Sequence, residues 1–157
     1  MSPNFDESYI VGLIGGFFVL LIFAVICYVI TALIYFFTAK TNGPEDLAFL
    51  AWIPLVNAYL LFAFGSKKTT PEEVKKDALT WMIIYAVLFV VSFIPFIGWL
   101  ASLAMFVIFI YYSYRLFYRW TGESGKAVLF VILTIVTFSI FFYVYGLIKM
   151  KQEFVAE

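Results

Sequence analysis

Residues 78–114 read ALTWMIIYAVLFVVSFIPFIGWLASLAMFVIFIYYSY and contain no charged side chain. As a single α-helix this stretch would reach about 55 Å, nearly twice the roughly 30 Å hydrocarbon core of a bilayer. Residues 94–98, Ile-Pro-Phe-Ile-Gly, lie at its middle, where proline removes a backbone donor and glycine permits a tight reversal. The stretch therefore predicts two membrane-spanning helices, at about 78–95 and 99–118, joined by a short turn.

The composition of the whole chain also indicates a membrane environment. Hydrophobic residues make up 65% of the sequence and charged residues 13%, whereas soluble domains have roughly 45–50% and 25%. The charges fall in short clusters between long uncharged stretches, which is typical of spans and loops and not of an acidic or basic binding surface. We expect residues 1–157 to form one all-α transmembrane helical bundle in the lipid bilayer. We expect no binding of nucleic acid.

Two further apolar stretches are long enough to cross a bilayer, at about 9–37 and 127–148. The first is not expected to be a signal peptide. No basic residue precedes it, and its apolar run is far longer than the roughly 7–15 residues of a signal-peptide core. Both stretches are therefore predicted spans.

The stretch 47–66 is barely long enough to span, and Pro54 and Asn57 lie near its centre. It is predicted either as a re-entrant or interfacial helical hairpin at about 44–65, which gives four spans, or as a fifth span. The distribution of lysine and arginine slightly favours the hairpin, with the N-terminus outside, without fixing the side of the N-terminus. Both alternatives place loops 67–77 and 119–126 in the cytoplasm and the C-terminus outside it.

Residues 53–57, Ile-Pro-Leu-Val-Asn, echo residues 94–98. Pro54, Asn57, Pro95 and Gly98 are accordingly predicted helix-break residues. Duplicated broken helices mark the substrate sites of some transporters, but two simple chain reversals, with Asn57 capping the following helix, explain the same pattern more economically.

The paired Ile-Pro motifs resemble those of small, functionally uncharacterised bacterial multi-pass membrane proteins. Residues 133–150 are similar in character to the final span of another such group. The resemblance covers roughly residues 47–150. It implies a bacterial inner-membrane protein and no particular activity.

The sequence offers little for catalysis. It contains no histidine, and its one cysteine, Cys27, lies inside the first apolar stretch. No acidic residue falls within a predicted span, so a proton relay built on intramembrane carboxylates is not expected. We therefore expect no enzyme activity, no catalytic residues, no cofactor and no metal site.

Arg115 and Arg119 are four residues apart and share one helix face, with Tyr111 and Tyr118 on or near it. Such a strip at the cytoplasmic boundary could bind a lipid phosphate or another anion. The simpler interpretation is that both arginines extend to the interface at the end of a span.

Small residues at four-residue spacing predict helix-packing faces at Gly12 and Gly16 and at Gly98 and Ser102. These faces serve either packing within one chain or contacts between chains. The sequence does not separate the two.

Three functions remain. The first is a non-enzymatic accessory protein that binds and stabilises or regulates another integral membrane protein. The second is a small oligomeric transporter or channel lined by Asn57, Thr134, Thr137 and Ser139. The third is a protein that binds anionic lipid through its arginines. The absence of any soluble domain or catalytic group favours the first.

Overall fold

The computed structural model describes residues 7–156, which form helices and no strand. The elements are α1 (Glu7–Asn42), a 3₁₀ helix (Glu45–Trp52), α2 (Ala58–Gly65), α3 (Pro71–Val91), α4 (Gly98–Thr121), α5 (Ser124–Val136) and α6 (Ile140–Lys149). The all-α prediction is confirmed. By length and composition, two of the described helices could cross a membrane: Tyr9–Asn42 within α1, and α4.

The start of α3 follows directly from the sequence Thr-Pro-Glu-Glu. The Thr70 side-chain oxygen accepts a hydrogen bond from the backbone N–H of Glu73, and the Glu73 carboxylate accepts one from the Thr70 hydroxyl at 2.8 Å. Pro71 occupies the first turn, where its missing N–H costs nothing. This N-terminal cap fixes where the loop ends and the helix begins.

After α1 the chain forms three helical hairpins. The first consists of the 3₁₀ helix and α2, the second of α3 and α4, and the third of α5 and α6. The short turn predicted between the helices at 78–95 and 99–118 is present at residues 92–97. The chain reversal predicted within residues 44–65 is also present, since the 3₁₀ helix and α2 pack against each other.

The third hairpin overturns the prediction of one continuous span at 127–148. The rings of Phe130 and Tyr145 lie with their centroids 4.8 Å apart. In a straight helix, residues fifteen positions apart would be separated by about 22 Å. The chain therefore doubles back at residues 137–139.

The reversal at 137–139 is built from hydroxyl side chains without proline or glycine. The Thr137 hydroxyl oxygen accepts a hydrogen bond from the backbone N–H of Phe141 at 3.0 Å, which caps α6. Phe138 and Ser139 adopt positive φ angles of 50° and 70°. Such side chains offer the backbone an alternative to helical hydrogen bonds, so a threonine can end one helix and begin the next.

All ten lysines and arginines lie at one end of the structure, which we call the basic end. Lys75 bonds to Asp46 at 2.6 Å, and Lys68 and Arg119 line one cleft. The three hairpins all start and finish at this end. The ten residues are Lys40, Lys67, Lys68, Lys75, Lys76, Arg115, Arg119, Lys126, Lys149 and Lys151.

The C-terminal segment also lies at the basic end. The backbone N–H of Val155 donates to the carbonyl of Arg119 at 2.8 Å, and that of Phe154 donates to the side-chain oxygen of Asn42 at 2.7 Å. The expectation that the C-terminus and loop 119–126 lie on opposite sides of a membrane is therefore wrong. It failed because α5 and α6 return the chain to the end where it started.

The centre of the bundle is α2, which packs against α1, α3 and α4. Every residue from Tyr59 to Gly65 is buried. Phe62 and Phe64 are at most 1% exposed, as is Trp120 of α4. A short apolar helix surrounded by longer ones thus forms the core.

Candidate functional site

Arg115 and Arg119 bind the C-terminal end of α2. Arg115 is 8% exposed, and its Nε donates to the carbonyl of Gly65 at 3.1 Å. The Nη1 of Arg119 donates to the carbonyl of Phe64 at 3.0 Å. The last carbonyls of a helix have no intrahelical partner and carry its negative pole, so two guanidinium groups satisfy both needs.

The two tyrosines predicted beside the arginines are placed differently from each other. The Tyr118 ring centroid lies 5.6 Å from the Arg115 guanidinium carbon. Tyr111 instead lies beside Lys67, whose ammonium is 6.0 Å from its ring centroid. Anion binding by this strip stays a prediction, while the observed bonds of the arginines serve the internal structure.

Residues 53–57 and 94–98 form the same turn. In each, the N–H of the fifth residue donates to the carbonyl of the first, at 3.0 Å in the first turn and 2.8 Å in the second. The residue after the proline has a φ of 66° in both, although it is Leu55 in one and Phe96 in the other. The sequence echo is therefore a repeated chain reversal at the tips of the first and second hairpins.

The other residues of these motifs have local roles. A Cβ atom on Gly98 would collide with the backbone carbonyl oxygen of Ser92, so the tight turn before α4 requires glycine there. Ser102 is exposed and its hydroxyl donates to the carbonyl of Gly98 at 2.9 Å. The side chain of Asn57 precedes α2 but makes no capping hydrogen bond.

The glycines near the start of α1, at the other predicted packing face, have open space around them, unlike a glycine within the bundle. A Cβ atom on Gly146 would lie 2.8 Å from a side-chain carbon of Ile34, so α6 needs glycine to approach α1. A Cβ atom on Gly12, Gly15 or Gly16 would meet nothing within 4 Å. Packing within the described chain gives no reason for these three glycines.

A cavity of about 320 Å³ lies at the tip of the first hairpin. We call it the tip cavity. Its walls come from α1, the tip and start of α2, α3 and α4. The residues that line it are Tyr28, Thr31, Tyr35, Pro54, Leu55, Asn57, Ala58, Leu61, Phe62, Tyr85 and Phe109.

The polar residues proposed for a transport path do not converge. Asn57 lines the tip cavity, but Thr134 and Thr137 belong to the third hairpin. Their hydroxyls donate to the carbonyls of Phe130 and Leu133, both at 2.7 Å. The tip cavity is thus lined by Asn57 and by neither of these threonines.

Sequence reasoning missed the tyrosines of the tip cavity. Tyr28, Thr31 and Tyr35 follow a helical spacing along one face of α1. That spacing could have indicated a buried polar site, because a polar stripe in an apolar helix has to face protein or a cavity. Tyr85, which comes from α3, could not have been joined to them without the tertiary fold.

Comparisons with protein-family models, with curated proteins and with solved structures find no match to this chain. Within residues 7–156, no group of three or more cysteine, aspartate or glutamate side chains is arranged to hold a metal ion.

Proposed function

We propose that this protein is a non-enzymatic accessory subunit that binds another integral membrane protein through the N-terminal half of α1. The observation that supports the proposal is the contrast between the two halves of that helix. Residues 30–39 pack into the bundle, where Ala32, Ile34 and Ala39 have no exposed surface. Residues 9–26 are exposed at every position.

The glycines give the exposed half a specific face. Glycine inside a helix costs roughly 1 kcal/mol relative to alanine, so three of them within five residues call for a compensating contact. No such contact exists within the described chain around Gly12, Gly15 and Gly16. Lipid chains gain nothing from a helix with a flat glycine face, whereas a transmembrane helix of a partner packs closely against it.

We further infer the arrangement in the bilayer. The first and third hairpins have arms of 8 to 13 residues, at most about 20 Å long, which is too short for a core of roughly 30 Å. They therefore enter and leave at one face as re-entrant hairpins. In this proposal α1 and α4, the two helices that are long and apolar enough, cross completely. Helix α3 runs beside α4 as far as the turn at residues 92–97, and this arrangement takes the place of the four spans inferred from sequence.

The charge distribution supports an orientation for this arrangement. All ten lysines and arginines lie at the basic end, and a cytoplasmic excess of these residues is the rule in multi-pass proteins. The proposed protein of the cell membrane thus has the basic end, including loops 67–77 and 119–126 and the C-terminal segment, in the cytoplasm. The start of α1 at Glu7 lies on the other side.

The accessory role is tested by co-purification from native membranes in a mild detergent. The wild-type chain is expected to retain a second integral membrane protein in a fixed ratio. A Gly12→Leu/Gly16→Leu variant adds bulk to the glycine face and is expected to lose that protein. Ile14→Phe adds bulk on the opposite side of the helix and serves as the matched control, which should retain it.

Two outcomes contradict the proposal. One is recovery of the wild-type chain without any companion, or only as copies of itself. The other is a companion that the glycine variant and the wild type retain equally. Because residues 12–16 are exposed and a Cβ atom on Gly12 or Gly16 would meet nothing within 4 Å, both variants are expected to keep the thermal stability of the wild type.

A further inference from the structure

The tip cavity arises from the unequal lengths of neighbouring elements. The α2 arm of the first hairpin has 8 residues and is about 12 Å long, whereas α1 and α4 have 36 and 24 residues and continue past its tip. A short hairpin between longer helices leaves a space under its end. The tip residues Pro54 and Leu55 form the wall of that space on the side of the first hairpin.

In the bilayer arrangement proposed above, on which this inference rests, the cavity lies at the depth of the hydrocarbon core. On α1, Tyr28 is twelve residues from Lys40, or about 18 Å along the helix. On α3, Tyr85 is eight residues from Asp77, or about 12 Å. A molecule that occupies the cavity therefore reaches it from within the bilayer and has to dissolve there.

The walls combine apolar surface with uncharged polar groups. Phenol, hydroxyl or amide groups come from Tyr28, Thr31, Tyr35, Asn57 and Tyr85, and no charged side chain lines the cavity. Among the described residues, the buried Tyr28 hydroxyl has no hydrogen-bond partner, and Tyr28 belongs to the cavity wall. An unpaired buried hydroxyl is unfavourable, so a ligand that supplies an acceptor would be stabilised.

We propose that the tip cavity binds an uncharged lipophile that carries a hydroxyl or carbonyl group. A charged head group would have no counter-ion at this depth, which excludes phospholipid head groups. A plain hydrocarbon chain would leave the polar wall unpaired. The volume of about 320 Å³ is at the lower end of the usual range for small-molecule sites and accommodates the polar end of such a molecule.

The test uses purified full-length protein in nanodiscs and two photoreactive lipids. One is a diacylglycerol with a diazirine close to an ester carbonyl. The other is a phosphatidylglycerol with the same chains, which differs in its charged head group. After irradiation, mass spectrometry locates the labelled peptides. We expect diacylglycerol to label the peptides that contain Tyr28 and Tyr85, and phosphatidylglycerol to label them at least fivefold less.

Variants show whether the polar wall is responsible. Tyr28→Phe/Tyr85→Phe keeps both rings and removes two hydroxyls, which should weaken labelling at limiting probe by roughly tenfold or more. Tyr111→Phe removes a hydroxyl outside the cavity and should leave labelling unchanged. Asn57→Leu removes the amide without altering the tyrosines and should reduce labelling as an independent check.

Equal labelling by the two lipids would overturn the proposal, because it would mean that any acyl chain fills the space. Unchanged labelling of the double tyrosine variant and of Asn57→Leu would overturn it as well. Neither variant touches the glycine face of α1, so this result is independent of partner binding.

Discussion

Replacing Arg115 by methionine should destabilise the bundle strongly, although the residue lies at the edge of the apolar region. Methionine keeps an unbranched chain of similar length and removes the guanidinium that binds the Gly65 carbonyl. A hydrogen bond from a charged donor is worth about 1.5–3 kcal/mol, and a cation at a helix C-terminus adds about 0.5–1 kcal/mol. The expected loss in the free energy of unfolding is therefore about 2–4 kcal/mol.

Thermal unfolding in a mild detergent, followed by intrinsic tryptophan fluorescence, measures this loss. For a chain of this size, 1 kcal/mol corresponds to about 2–4 °C in Tm, so the Arg115→Met variant should unfold roughly 5–15 °C below the wild type. Trp120 reports on the core directly, since it is 1% exposed.

Lys126→Met is the matched control. Its ammonium bonds to the Glu123 carboxylate at 2.7 Å, but both side chains are more than half exposed. An exposed ion pair of this kind is worth less than about 1 kcal/mol. If Arg115→Met and Lys126→Met had the same Tm, the view that the arginine holds the end of α2 would be refuted.

Three further outcomes follow from the turns and the surface charges. Phe96→Gly should be about 1 kcal/mol more stable than Phe96→Ala, because both remove the ring but only glycine relieves the positive φ of 66°. Thr137→Val should lower the free energy of unfolding by about 1 kcal/mol, since the cap on the Phe141 N–H is lost; thermal unfolding measures both effects. A hydrogen bond from the Lys75 ammonium lowers the pKa of Asp46 below its ordinary 3.8. The wild type therefore gains stability from this carboxylate above pH 3.8 and loses it as the pH falls through the lowered pKa, whereas Asp46→Asn should lack this acid dependence in denaturation measured against pH.

The parts of the fold that were predictable rest on local chemistry. Proline and glycine in residues 94–98 end one helix and begin the next regardless of what surrounds them. The threonine, proline and glutamate at residues 70–73 likewise determine the start of α3. Both features depend on backbone donors and dihedral angles within a few residues, so the sequence is sufficient to locate them.

The reversal at 137–139 was missed because no residue there forbids a helix. Thr137 is compatible with a straight span and with a cap, and packing decides between them. In the structure, Phe130, Phe141 and Tyr145 stack together across the hairpin and lie against Phe117 of α4. That aromatic cluster exists only after the chain has folded back.

In the candidate site, too, local features were predictable from the sequence and features that depend on packing were not. The spacing of Arg115 and Arg119 revealed their shared face, but their partners are backbone carbonyls fifty or more positions away, which no side-chain pattern records. The tip cavity depends on how deeply the first hairpin reaches between α1 and its neighbours. Depth of this kind is a property of packing, so the polar stripe of α1, which was missed, is the part of the tip cavity that the sequence itself indicates.

The placement of the C-terminal segment tests the account most directly. On a Cys27→Ser background, single cysteines at Thr69 and Glu153 are labelled in sealed, oriented membrane vesicles with a membrane-impermeant thiol reagent. The account predicts that both positions react from the cytoplasmic face, because the third hairpin returns the chain to the basic end. Labelling of the two positions from opposite faces would mean that residues 124–149 cross the bilayer, and the proposed arrangement would be wrong.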